Sequence, residues 1–181
     1  MSIFLLVASI LVWLAAIAAL PSRPLYSPAL SYLGLLGLSF CETNGESWLP
    51  INNTMLLSWL CITVVVMMAT SLQPAAIRQQ ARGMAYIIGG AVVGLAIGLL
   101  GFTISTSIGM LYAIMVVATA AGIFFGFLLY SNTPDGRGVG ITSGRFFTYL
   151  LAKGFPTAVT VVQIGLVFVL LIYQANFTSP Q

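Results

Sequence analysis

Side chains able to carry acid–base chemistry are few in this chain of 181 residues. It contains six Lys and Arg residues, three Asp and Glu residues and no His. General acid and base catalysis needs titratable groups within reach of each other, and the sequence offers Glu42, Glu46, Asp135 and Lys153. These four fall in segments predicted to lie on opposite sides of a membrane. We therefore expect neither enzyme activity nor a bound cofactor.

The two cysteines do not indicate a metal or redox site. Cys41 and Cys61 form no CxxC motif, and a chain without His lacks the usual second ligand type for zinc and the usual base for an activated thiol. We predict no metal site and interpret both residues as unpaired thiols packed as small apolar side chains. A disulfide across the outer ends of two helices is the alternative.

Two groups of polar residues fall in or between apolar runs. Gln163 is the most polar side chain deep in a run, and Thr160 precedes it by three residues on the same helix face. An amide in hydrocarbon needs a partner, so this face should point into a bundle or toward another subunit. The turn containing Thr103, Ser105 and Ser107 is expected to cap helix ends, with an access path for a polar solute as the alternative.

The basic residues are predicted to lie at a membrane surface. The glycine-rich loop at 134–140 lacks the Gly-Lys-Ser/Thr ending and the preceding strand of a phosphate-binding loop. Six basic residues are also too few for a nucleic-acid interface, so no nucleic-acid partner is expected. Contacts with anionic lipid head groups are predicted instead, through Arg78, Arg82, Arg137, Arg145 and Lys153.

The composition places these residues in a membrane protein. Sixty per cent of the residues are hydrophobic and 5% are charged, against about 25% charged in soluble domains. The pattern predicts an all-α transmembrane bundle, one domain over residues 1–181, in a bacterial inner membrane. A short interfacial helix is expected near 143–153, before a bend at Gly154 and Pro156. Six spans are predicted at about 2–20, 25–41, 54–73, 84–104, 108–130 and 157–174.

The span count depends on residues 25–41. Seventeen residues rise about 26 Å as a helix, which is short for a hydrocarbon core of about 30 Å. If this segment crosses, all six basic residues lie on one side and Glu42 and Glu46 on the other, as the positive-inside rule requires. We favour six spans with both termini extracytoplasmic. Five spans with 25–41 re-entrant is the alternative.

A hairpin from Met84 to Tyr130 is predicted to organise the bundle. Its two helices carry small residues at four-residue spacing, which places them on one face and lets another backbone come close. The sequence does not show whether these faces meet each other or a partner chain. The residues are Gly90, Gly94 and Gly98 on the first helix and Ala118, Gly122 and Gly126 on the second.

These features favour a non-catalytic membrane subunit or scaffold that packs through small-residue faces. Its expected partners are membrane lipids and other membrane subunits or further copies of itself. The alternative is a small transporter, channel or substrate-binding membrane component for a neutral or lipid-like solute, which would use the hairpin, the hydroxyl turn and Gln163.

Overall fold

The computed structural model describes a helical protein over residues 2–43, 46–47, 49, 51–79, 82–100 and 108–177. The α-helices in these ranges are α1 (Ser2–Ala19), α2 (Ser27–Ser39), α3 (Asn53–Ser71), α4 (Ala75–Gln79), α5 (Met84–Leu100), α6 (Ile108–Ser131), α7 (Phe146–Tyr149) and α8 (Phe155–Phe177). Between α2 and α3, two short strands, β1 (Glu42–Thr43) and β2 (Glu46–Ser47), pair antiparallel.

In the part of the chain that the structure describes, three helical stretches are long and apolar enough to cross a membrane, namely Asn53–Ser71, Gly109–Ser131 and Phe146–Ile172. Shorter apolar helices cover Ile3–Ala19 and Met84–Leu100. The prediction of an all-α bundle with helices able to span a membrane is therefore confirmed. By length and composition, these three are the candidate spans among the described residues, against the six predicted.

The predicted span at 25–41 forms a shorter helix than expected. α2 has 13 residues, which rise about 20 Å against about 30 Å of hydrocarbon. Ser27 Oγ donates to the Ala16 carbonyl at 2.6 Å, and Trp13 Nε1 donates to the Ser31 carbonyl at 3.1 Å. The first contact joins the end of α1 to the start of α2. The second lies one turn earlier in α1 and one turn later in α2, so the two helices are antiparallel.

The most enclosed helix of the bundle is α8, and not the α5–α6 hairpin. In the stretch that ends in α8, 67% of the most apolar 18-residue window is buried, against 33% for α6 and 17% for α3. α8 contacts α2, α3, α5 and α6. The hairpin forms one wall of a bundle whose centre is filled by the side chains of α8.

The interfacial helix predicted near 143–153 is instead the beginning of this central helix. Leu150–Gly154 forms one π-helical turn between α7 and α8, in which the Phe155 N–H donates to the Leu150 carbonyl. A proline inside an α-helix leaves the carbonyl four residues earlier without its donor. The wider turn changes the hydrogen-bond register just before Pro156, so the helix continues where the sequence predicts a bend.

Candidate functional site

The two small-residue faces of the hairpin lie against each other. A Cβ atom added to Gly90 would collide with the Gly122 carbonyl, and one added to Gly122 would collide with the Gly90 carbonyl. A Cβ on Gly94 would lie 2.9 Å from the Thr119 Cα. Real Cβ atoms do not approach main-chain atoms so closely, so the two backbones are in direct contact.

The remaining residues of the two faces complete the same contact. A Cβ on Gly98 would lie 2.6 Å from the Met115 Cα, and one on Gly126 would collide with the Tyr86 carbonyl. The Ala118 main chain faces Gly94. The contact thus runs along most of α5, and the small residues at four-residue spacing are used within the chain.

An apolar groove of about 500 Å³ follows this contact on the outer side of the hairpin. Its floor is formed by the glycines in contact, and its walls include Ala85, Gly89, Val93, Ala121 and Phe125. A Cβ on Gly89 would meet nothing within 4 Å, so the groove is open at that point. Its surface is almost wholly apolar, which suits a ligand or helix from the lipid phase.

A buried polar seam joins α8 to α2. Thr160 Oγ1 donates to Ser27 Oγ at 3.1 Å, and Ser31 Oγ donates to the Thr160 carbonyl at 3.3 Å. All three side chains are fully buried. Thr160 therefore faces α2, whose hydroxyl groups are its hydrogen-bond partners.

Gln163 extends the seam to α3. Its Nε2 donates to Thr63 Oγ1 at 2.9 Å, and Thr63 Oγ1 donates to the Trp59 carbonyl at 2.7 Å. Among the described residues, the buried Gln163 Oε1 has no hydrogen-bond partner. The seam is therefore an interhelical contact with one unsatisfied acceptor.

We expect Gln163→Leu to destabilise the bundle only slightly. Interhelical hydrogen bonds in membranes contribute about 0.6 to 2 kcal/mol, and leucine also removes the unsatisfied acceptor, so the cost should lie near the lower end. Reversible unfolding in mixed micelles measures it. Thr63→Val, alone and combined with Gln163→Leu, is the control, because a true pair makes the double variant less destabilised than the sum of the single ones. Strict additivity would contradict the assigned contact.

Two buried side chains donate hydrogen bonds to the main chain of the turn between α4 and α5. Tyr149 Oη donates to the Arg82 carbonyl at 2.9 Å, and Lys153 Nζ donates to the same oxygen at 3.3 Å. Lys153 Nζ also lies 5.2 Å from the centre of the Tyr149 ring, in cation–π range. Gly83 follows with a φ of 78°, which favours glycine, and a Cβ there would lie 2.6 Å from the Tyr130 ring.

This arrangement corrects the role predicted for Lys153. Its side chain is fully buried, not directed to lipid head groups. The amphipathic pattern of 143–153 suggested an interfacial lysine. However, α7 packs against the rest of the bundle, where Phe146 and Tyr149 are buried with Phe127 of α6. Lys153, one turn further, is therefore enclosed and binds main-chain oxygen.

The other predicted head-group residues lie at the surface of the same end of the bundle. Arg82 and Arg145 line a cavity of about 450 Å³ together with Asp135, Tyr130 and Tyr149. In a second surface cavity, Arg78 is joined by Arg23. Arg78 Nη1 also donates to the Ser71 carbonyl at 3.2 Å, and Arg137 is exposed.

Thr103, Ser105 and Ser107 lie outside the described residues. Cys41 is buried and Cys61 is exposed, and no disulfide joins these two described residues.

Several residues of the site were missed by sequence reasoning. Ser27, Ser31 and Thr63 are the partners of the α8 seam, and Tyr149 holds the Arg82 carbonyl. Each is a hydroxyl residue inside an apolar run, which is a usable signal because hydroxyl groups in a bilayer bond to a carbonyl or to a neighbouring helix.

No known protein family, characterised protein or solved structure matches this chain.

Proposed function

We propose that this protein is a non-catalytic subunit or scaffold of a larger membrane assembly. The central observation is the apolar groove on the outer wall of the hairpin, and we assign it one occupant, a transmembrane helix of another subunit. The small residues of both helices already contact each other inside the chain, so the proposed binding face is the outer edge of that contact, which adds Ala85, Gly89 and Ala121.

A helix is favoured by the form and chemistry of the groove. It is lined from Ala85 to Ile97 along α5, which corresponds to about 18 Å of helix rise. Association in lipid depends on close packing, because burial of apolar surface gives no advantage there, and small residues permit close packing. The centre of the bundle is filled by α8 side chains such as Leu166 and Val169. A packed centre favours a structural subunit over a pore through one chain.

The proposed topology has six spans in a bacterial inner membrane, with both termini extracytoplasmic. Antiparallel packing of α1 and α2 supports a crossing by α2 together with its flanking residues. Arg23 and Arg78 line one cavity. Because α4 contacts α7, the cavity lined by Arg82 and Arg145 lies at the same end of the bundle. Basic residues gathered at one end are expected of the cytoplasmic side.

A second candidate function is binding or transport of a lipid-like solute. The observation that favours it is the volume of the groove, about 500 Å³, which is within the range of about 300–1,000 Å³ for small-molecule sites. An acyl or isoprenoid chain would fit the apolar lining.

Substitution of Gly89 by leucine tests whether a partner helix or a lipid-like solute binds in the groove. A side chain at Gly89 meets nothing within the chain, so Gly89→Leu should fold normally and fill the groove. After mild extraction, the native protein is expected to copurify with larger membrane subunits in fixed stoichiometry, and the variant is expected to lose them almost completely.

Gly109→Leu is the matched control. Gly109 is also an exposed helical glycine with nothing within 4 Å of its Cβ position, but it lies outside the groove. It should retain the partner. A monodisperse homo-oligomer with a bound small molecule that Gly89→Leu removes would instead support the second candidate. Unchanged composition in both variants would refute docking in the groove.

A further inference from the structure

The cavity beside Arg82 has the composition of a ligand site. Three separate parts of the chain meet there, namely the segment around α4, the turn at 135–139 and the start of α7. Its volume of about 450 Å³ is typical of sites for small molecules, about 300–1,000 Å³. Unlike the almost wholly apolar hairpin groove, this cavity has a lining that combines charged, polar and apolar side chains.

The charged groups of the cavity have both signs. Arg82 and Arg145 contribute two guanidinium groups, and Asp135 contributes one carboxylate. In the described part of the chain, no ion pair of 4.0 Å or less joins Asp135 to either arginine. The three groups thus remain available for a ligand that carries both a phosphate and a cation.

Hydrogen bonds to main-chain carbonyls hold the backbone at two of these residues, Arg82 and Asp135. The Arg82 carbonyl is held by Tyr149 Oη and Lys153 Nζ. Tyr130 Oη donates to the Asp135 carbonyl at 3.5 Å. The Tyr130 and Tyr149 rings stack with centres 5.7 Å apart. Because both anchors belong to one aromatic cluster, the backbone at Arg82 and the backbone at Asp135 are held on opposite sides of one stacked ring pair.

We propose that this cavity binds a phospholipid head group that carries a phosphate and a primary ammonium, as in phosphatidylethanolamine. The arginines bind the phosphate, and the Asp135 carboxylate accepts hydrogen bonds from the ammonium. A trimethylated ammonium has no N–H to donate, and a glycerol head group has no positive charge. The cavity lies at the basic end of the bundle, where Ile77 and Val139 add apolar lining, as expected at a membrane surface.

This inference goes beyond the proposed scaffold function and does not depend on what occupies the hairpin groove. A test uses the full-length protein in detergent with short-chain phosphatidylethanolamine, phosphatidylcholine and phosphatidylglycerol, and measures the lipid bound by native mass spectrometry. Phosphatidylethanolamine is expected to bind about tenfold more tightly than the other two, because one charge-assisted hydrogen bond has about that effect.

Two variants separate the roles of the charges. Arg145→Gln should weaken binding of phosphatidylethanolamine and phosphatidylglycerol alike, by about tenfold. Asp135→Asn should abolish the preference for ethanolamine and leave phosphatidylglycerol binding equal or stronger. Arg23→Gln is the matched control, since Arg23 is an exposed arginine at the same end that lines a different cavity, and it should change neither affinity.

A competition experiment identifies the recognised chemistry. Soluble phosphoethanolamine should displace the bound lipid, whereas inorganic phosphate at the same concentration should not. Equal displacement by both would overturn the proposal and leave a simple phosphate site. Equal affinity for all three lipids, or a preference for ethanolamine that persists in Asp135→Asn, would also overturn it.

Discussion

Gly94→Leu is expected to destabilise the protein by about 3 kcal/mol or more, which is at the upper end for overpacking. A Cβ atom at this position would collide with the Ala118 carbonyl and would lie 2.9 Å from the Thr119 Cα. The obstacles are main-chain atoms, so no side-chain rotation relieves them. α5 and α6 must separate, and the contact along both helices is weakened together.

The sign of this effect is not obvious from helix propensity. Replacement of a helical glycine by leucine favours the helix by up to about 1 kcal/mol, so the variant loses stability only if the backbone contact exists. Unfolding in mixed micelles, followed by circular dichroism, gives the free energy difference. Gly109→Leu, at an exposed helical glycine with open space around it, should be neutral or slightly stabilising. A Gly94→Leu protein as stable as this control would disprove direct contact between the helices.

The hairpin illustrates what the sequence can predict. Spacing of four residues places Gly90, Gly94 and Gly98 on one face, and this follows from helix geometry. The partner of that face does not follow from it, because another helix of the chain and a helix of another protein present the same chemistry in lipid. Only the structure shows Gly122 opposite Gly90.

For a related reason, the sequence does not predict that α8 is the central helix. In a soluble protein the buried helix is the most apolar one, but in a bilayer every span is apolar. The remaining signal is polar residues that need partners. Thr160 and Gln163 are such residues, and they lie in the most buried helix. Their partners Ser27 and Thr63 lie far apart in sequence, so their pairing depended on the packing of three helices.

The sequence before α8 favours an interfacial helix because local rules oppose the tertiary packing there. Gly154 and Pro156 are helix-breaking residues, and alternating basic and aromatic residues are typical of an interfacial helix. A single π turn lets the helix continue past Pro156, and tertiary packing then buries Lys153. Irregular turns of this kind have no clear sequence signature, so the enclosed lysine could not be inferred from the pattern.

Lys153→Ala tests that enclosed position directly, and we expect it to cost about 2–5 kcal/mol, as for other large side chains truncated in a core. The substitution removes a fully buried side chain, one of the two donors to the Arg82 carbonyl and a cation above the Tyr149 ring. Lys153→Met keeps most of the volume and removes the buried charge. It should cost less, about 1–2 kcal/mol, because Tyr149 Oη still donates to Arg82 and the desolvation of an ammonium is avoided.

The relative stability losses of the two variants therefore distinguish a buried Lys153 from an interfacial one. A lysine that extended to lipid head groups would lose little stability in either variant, and the small loss would depend on anionic lipid. A buried lysine gives a large loss for alanine and a smaller one for methionine, and both are insensitive to lipid charge. Unfolding of both variants in micelles with and without phosphatidylglycerol measures these quantities. Native-like stability of Lys153→Ala would mean that the side chain lies at the membrane surface, as its sequence context first indicated.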